Sequence, residues 1–151
     1  IIMQIFIGGI GCFWDETEYQ GIPGIISTEC GYCGGKSPTV SYKEVCGGDT
    51  EHIEVVKVTF DPKIISYEDV SRLFFKIHDP TTLNRQGPNV GYQYRSEIFY
   101  NSEEEKKIAE KVLSEINEKL NGKVVTKIRK EKNYCKAEEY HQKYFEKKSK
   151  R

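Results

Sequence analysis

Neither sign of charge prevails in this chain: 23 Lys and Arg stand against 23 Asp and Glu, a formal net charge of zero. That balance leaves no electrostatic footprint for nucleic acid and no surface field to draw an acidic partner. The lysine-rich end, Lys143 to Arg151, then reads as a solvated terminal face rather than a binding patch. No apolar run approaches the roughly 20 residues of a membrane-crossing helix, and no charged segment with a cleavage site precedes the domain. The chain opens at Ile1 and not at Met, which leaves its natural start open. Cysteine is too sparse for a secreted disulfide scaffold: five, an odd number, suit a cytoplasmic protein with working or merely buried thiols. No repeat and no linker interrupts the sequence, so residues 1–151 are expected to form a single domain, long enough to bury a substantial core.

The patterns that are present alternate between strand and helix. Met3 to Gly8 is a short apolar strand ending in glycines, and Phe13 to Gln20 a short helix stopped by Gly21 and Pro23. Ile25 to Tyr32 reads as a strand. Cys33 to Asp49, rich in Gly and Ser without apolar period, reads as a long loop, and loops of that length in small domains tend to be functional. Ile53 to Phe60 alternates with period two and is β-branched, a strand. Ser66 caps a helix to about His78 with Val70, Leu73, Phe74 and Ile77 at helical spacing. A second irregular stretch covers Asp79 to Arg95, followed by a strand from Glu97 to Tyr100. Ser102 and Glu105 form a capping box for a helix to Leu120, closed by Asn121-Gly122. Val124 to Ile128 is a strand and Ala137 to Lys147 a last helix. This order predicts an α+β fold, a two-layer α/β sandwich with a ferredoxin-like core, helices on one face of a mainly antiparallel or mixed sheet, and long loops carrying the site.

Chemistry concentrates at three places. Cys12 stands where the first strand gives way to a helix, so the unsatisfied N–H groups and positive dipole end there would stabilise a thiolate. Phe13 and Trp14, the only Trp, follow it, and an aromatic surface beside a nucleophile suggests a small apolar-ended substrate. The two long loops are dense in Tyr, His, Asn, Arg and Gln, more polar chemistry than folding alone demands outside regular structure. Glu54 lies in the best strand with two placements open. It can share a solvated face with His52, the commoner fate of a carboxylate, or sit in a partly apolar pocket with a raised pKa, poised to deliver a proton.

Seven blocks then fall in one order from residue 11 to 142: Gly11-Cys12-Phe13-Trp14, Gly31-Tyr32-x-Gly34-Gly35, Ser41-Tyr42-x-Glu44-Val45-Cys46, Thr50-x-His52-x-Glu54-Val55-Val56, His78-Asp79-Pro80-Thr81-Thr82-Leu83-Asn84-Arg85-Gln86-Gly87, Gly91-x-Gln93-Tyr94-Arg95-Ser96 and Ala137-Glu138-x-Tyr140-His141-Gln142. Together they resemble the peptide methionine sulfoxide reductase A family. The resemblance implies that Cys12 is the catalytic thiolate that attacks the sulfoxide sulfur. It makes Glu54 the acid that protonates the sulfoxide oxygen, Tyr42 and Tyr94 the phenols that hold that oxygen, and Phe13 and Trp14 the pocket for the S-methyl group. It implies reduction of the S-epimer of methionine sulfoxide, free or in oxidised proteins, as repair after oxidative damage. The product is a Cys12 sulfenic acid, converted to a disulfide by a second thiol and recycled by thioredoxin. No metal or organic cofactor, no nucleic acid and no membrane is implied, and a monomer in the cytoplasm is expected.

The sequence also departs from that pattern. Asn89 stands where most members have the Asp that helps hold the substrate backbone; it keeps an acceptor and loses the charge. The Gly that usually follows Cys-Phe-Trp is missing, so Asp15-Glu16 open the helix, favouring its dipole but opposing a thiolate at Cys12. Three cysteines are candidates for the resolving thiol: Cys46 in the first loop, Cys33 in the glycine-rich turn, and Cys135 near the C-terminal block. Cys30, inside a strand, is expected to be buried and inert. Two rival readings use the same thiols. Cys30-Gly31-Tyr32-Cys33 could signal a thioredoxin-like dithiol enzyme, although no helix can start promptly at Gly34-Gly35-Lys36-Ser37-Pro38. A zinc module could use Cys30, Cys33, Cys46 and His52, although its second half lacks a paired ligand spacing. The blandest alternative, an α+β domain with incidental cysteines, leaves the ordered blocks unexplained.

Overall fold

Hydrophobic alternation places the central strand. The computed structural model describes residues 3–9, 16–47, 50–86 and 89–138, without the side chains of Glu16, Thr17 and Asn89. Strand β3 (Ile53–Phe60) has the bounds its β-branched alternation predicts. It pairs antiparallel with β1 (Gln4–Gly9) on one side and β2 (Ile25–Cys33) on the other. Strand β6 (Glu97–Tyr100) lies antiparallel to β1, and β7 (Lys127–Lys130) runs parallel to β6. A two-residue strand, β8 (Cys135–Lys136), borders β2, giving a six-stranded mixed sheet of order β7-β6-β1-β3-β2-β8. The expected α+β sandwich with a mainly antiparallel sheet is the fold observed.

Period-two alternation divides the sheet into two faces. On one, Phe6, Cys30, Tyr32, Val56, Val58, Phe60 and Ile98 join the main core. Helices α1 (Tyr42–Cys46), α2 (Tyr67–Lys76) and α3 (Glu103–Lys119) add Val45, Val70, Phe74, Ala109 and Val112 to it. Aromatic, Val and Ile side chains dominate this core; Met3, the only Met, is 53% exposed at the sheet end. On the other face Ile7, Cys33, Ile53, Val55 and Phe99 form a smaller cluster with Tyr92 and Tyr134 packed on it. Gly8 permits the close approach of α2: a Cβ there would stand 2.6 Å from the Phe74 ring. Glu97, almost wholly buried in β6, is met by Arg129 of β7 at 2.7 Å, which ties the parallel edge strand down.

Several boundaries differ from the sequence expectation, each for a local reason. The stretch from Cys33 to Asp49 is not all loop: Ser41 and Glu44 make a reciprocal capping box that starts α1. Asp79 to Arg95 contains a small hairpin, β4 (Arg85–Gln86) with β5 (Asn89–Val90), and a 3-10 turn at Tyr92–Tyr94. Helix α2 ends at Lys76, two residues before His78. Ser102 caps α3 as expected, but Glu105 accepts the amide of Asn101 instead of that of Ser102, so the box is displaced by one residue. The last long strand is Lys127–Lys130 rather than Val124 to Ile128, because Glu97–Arg129 and the parallel register with β6 set it. The expected helix at Phe13 to Gln20 is described only as a 3-10 turn at Glu16–Tyr19. The expected helix from Ala137 has two non-helical described residues, and the rest lies outside the described residues.

Candidate active site

Glu54 takes the less common of its two placements. Its register partner is Tyr32 and its face is that of Val56 and Val58, the helix-covered side, so the carboxyl is 1% exposed. Its Oε2 has no hydrogen-bond partner among the described residues. Burial in an apolar wall without compensation disfavours the ionised form and pushes its pKa to about 8, so the group carries a proton at neutral pH. His52 is buried too, and its Nε2 meets the carbonyl of Asn133 at 3.1 Å, which makes it a fastening between β3 and the segment before β8.

Helix α1 delivers two more groups. Tyr42 and Cys46 lie one turn apart on its surface and share a hydrogen bond, which raises the Tyr42 pKa, with burial and Tyr94 adding to the effect. A helix of five residues cannot hold itself together; two carboxylates hold its start. Glu44 closes the capping box with Ser41, and Glu138 accepts the Tyr42 N–H with both oxygens at 3.1 Å while receiving the Tyr32 hydroxyl at 3.3 Å. Glu138 thereby couples the C-terminal motif block to the orientation of Tyr42.

The second loop supplies the remaining phenol. Much of its polar sequence builds the loop itself. Gln86 brackets the backbone of Asp79, donating to its O at 2.8 Å and accepting its N–H at 3.2 Å. Asn84, in the left-handed region at φ 54°, accepts from Arg95 Nε through its side chain and from Gly91 N through its carbonyl. This scaffold presents the 3-10 turn Tyr92–Tyr94. Tyr94 hydrogen-bonds Tyr42, and its pKa is raised by burial and by the charge Glu54 would carry; Gln93 Nε2 donates to Cys46 Sγ at 3.3 Å. Glu54, Tyr42, Tyr94, Cys46 and Gln93 therefore converge from a strand, a helix and a loop. Cys12, Phe13 and Trp14 lie outside the described residues, as does the Asn89 side chain; the Asn89 backbone pairs with Gln86 in the hairpin. The roles of Glu138 and Gln93 were missed from sequence; both stand inside the quoted motif blocks, which was the only signal for them.

The cysteines separate by face. Cys33 ends β2 on the smaller-cluster side instead of sitting in a turn. It is fully buried, bonds the carbonyl of Lys132 at 3.4 Å, and desolvation pushes its thiol up to about 12. Cys30, on the opposite face, is buried as expected but is disulfide-bonded; Cys33, Cys46 and Cys135 are free thiols. Cys135 borders Tyr32 on the edge strand, its Sγ 3.7 Å from the carbonyl of Val40. The C-x-x-C thus points its two sulfurs to opposite sides of a strand, which suits neither a dithiol centre nor a zinc site built on that pair. Among the described residues no three His, Cys, Asp or Glu groups are arranged to hold a metal.

A neutral carboxylic acid in an apolar wall, two phenol donors and an adjacent thiol can protonate and hold one oxygen atom of a substrate. That set defines a thiol oxidoreductase of the α+β class. The family model of peptide methionine sulfoxide reductase matches residues 3–151. A peptide methionine sulfoxide reductase MsrA from Pelagibacter ubique is 61% identical over 146 residues, 96% of this chain and 99% of the relative. The reduced form of Mxr1 from Saccharomyces cerevisiae superposes with a TM-score of 0.92 at 40% identity, covering 99% of this chain and 87% of that one. Mxr1 in complex with Trx2 matches with a TM-score of 0.65 at 25% identity, covering 94% and 84%. The chain belongs to the peptide methionine sulfoxide reductase family and is an enzyme, an oxidoreductase.

Proposed function

We propose that this enzyme reduces the S-epimer of methionine sulfoxide, free or in oxidised proteins, with Cys12 as nucleophile. The observation that carries the reading is Glu54: a buried carboxyl, its Oε2 without a hydrogen-bond partner among the described residues, held protonated beside Tyr42 and Tyr94. A sulfoxide oxygen is a poor leaving group until it is protonated. Glu54 gives it that proton, the two phenols hold the developing hydroxyl, and the Cys12 thiolate attacks sulfur. Methionine leaves, the hydroxyl ends on Cys12 as a sulfenic acid, and Glu54 is left as carboxylate, so charge and atoms balance. Phe13 and Trp14 would receive the S-methyl group and Asn89 the peptide backbone.

The sulfenic acid then condenses with a second thiol, and a dithiol protein of the thioredoxin type reduces the disulfide. The complex of Mxr1 with Trx2 supports that partner. The cycle is written with thiols and one carboxylic acid, and needs neither metal nor organic cofactor. Residues 1–151 act as a single catalytic domain, and we place the protein in the cytoplasm as a monomer serving protein repair, a setting in which the thiols of Cys33, Cys46 and Cys135, free among the described residues, stay reduced. Among the described residues no helix is long and apolar enough to cross a membrane.

The test is methionine release from each sulfoxide epimer with dithiothreitol or thioredoxin, for the wild type and for Cys12→Ser. The S-epimer should turn over and the variant should be inert. Preference for the R-epimer, or an active variant, would overturn the assignment.

A further inference from the structure

Resting on that reading, we propose that Cys30 is the resolving thiol: it condenses with the Cys12 sulfenic acid from inside the sheet, ahead of Cys46, Cys33 and Cys135. The chain has five cysteines; Cys33, Cys46 and Cys135 are free, and Cys30 is disulfide-bonded. Cys30 shares the helix-covered face of the sheet with Glu54. The registers Tyr32↔Glu54 and Cys30↔Val56 make Cys30 and Glu54 diagonal neighbours on adjacent strands, about 7 Å apart or somewhat less at Cβ. In the same rung Val56 pairs with Gly8 of β1, and Cys12 follows Gly9 by three residues, a reach of at most about 11 Å. The other thiols are worse placed for this step. Cys33 faces the opposite side of β2. Cys135 is on the edge strand beyond β2, with two strands between it and β1. Cys46 is engaged by Gln93 and Tyr42.

The chemistry closes without a further reagent. Glu54, left as carboxylate after the first step, takes the Cys30 thiol proton. The Cys30 thiolate attacks the Cys12 sulfur, the S–O bond breaks, and the departing hydroxide takes that proton as water. One disulfide forms and one water leaves; the electron the Cys12 sulfur gains in passing from sulfenic acid to disulfide is the one the Cys30 sulfur gives up in passing from thiol to disulfide, so no outside oxidant or reductant enters. Cys30 is 0% exposed, so thioredoxin cannot attack its sulfur. The mixed disulfide must form on Cys12, with Cys30 as leaving group.

Reduced wild-type enzyme is given one equivalent of methionine S-sulfoxide without reductant, then alkylated and digested. The expected result is one methionine formed, three of the five thiols left and a peptide pair linking Cys12 to Cys30. Cys30→Ala should still form one methionine but accumulate a Cys12 sulfenic acid trapped by dimedone, with thioredoxin-supported turnover down at least about tenfold. Linkage of Cys12 to Cys46, Cys33 or Cys135, or a persistent sulfenic acid in the wild type, would overturn the proposal. The wild-type map decides even if Cys30→Ala does not fold. If the wild type forms no methionine at all, the reductase reading itself fails, and that result is read before any disulfide is mapped.

Discussion

Glu54 has one carboxyl oxygen without a partner among the described residues, set in an apolar wall, an arrangement that is tolerable only while the group keeps its proton. Below pH 4.5 folded and unfolded chains are both protonated and no penalty exists. Between pH 4.5 and about 8 the unfolded chain ionises while the folded one does not, so stability falls with rising pH across that window and levels off above it. Glu54→Gln keeps the shape of the protonated acid without the titration. The variant should match the wild type in urea unfolding near pH 4 and exceed it at pH 9 by on the order of 2–5 kcal/mol. A difference that does not change with pH would remove burial as its source. Activity has the same direction: methionine release should decline as pH rises through about 8, where the proton donor is lost. In Glu54→Gln the first step should slow by about 100-fold or more, while alkylation of Cys12 persists.

At the scale of elements, helix α1 is the part of the site least able to stand alone. Five residues give a single turn, and its start depends on the capping box and on Glu138 from nearly a hundred residues further along. Glu138→Ala removes a charge-assisted acceptor of the kind that contributes about 1–2 kcal/mol at a helix start. Amide exchange in Tyr42–Cys46 should quicken more than in β3, and turnover should fall by about tenfold as Tyr42 loses its orientation. Uniform loss of protection throughout the sheet would instead mean a global effect. This dependence also explains what could be read from the sequence. Strands β3 and β6 and the long helices declared themselves through local alternation, helical spacing and caps. Glu54, Tyr42 and Tyr94 were legible as motif members, though nothing local chose the buried placement of Glu54; the pairing with β1 and β2 did. Helix α1 was hidden in a Gly- and Ser-rich stretch because its one local signal, the Ser41–Glu44 capping box, opens only a single turn without apolar period, and the rest of its support, Glu138, is tertiary. The β4–β5 hairpin was equally silent, since it is built by the Gln86 side chain on the backbone of Asp79, by the Asn84 carbonyl on Gly91 N and by the Asn84 side chain on Arg95, none of which spacing announces. Cys30 read as an inert strand residue because its bonding depends on strand order, which spacing does not reveal.

Across the whole molecule, the core consists chiefly of aromatic, Val and Ile side chains, and the one Met lies exposed at the sheet end. A thioether in a packed interior becomes a polar, bulkier sulfoxide under peroxide and disrupts its surroundings. This interior offers oxidants no such atom. In Cys12→Ser, which cannot repair itself, brief peroxide treatment followed by thiol reduction should add one oxygen, at Met3, and leave the thermal midpoint within about 2 °C of the untreated variant, since surface changes usually amount to less than about 0.5 kcal/mol. A larger drop would mean that Met3 packs more tightly than its exposure indicates. Met3 is also chemically a substrate: one copy of the enzyme could reduce the sulfoxide at that site on another. A population damaged at its surface would then hold both the lesion and its remedy, with an interior that does not need either.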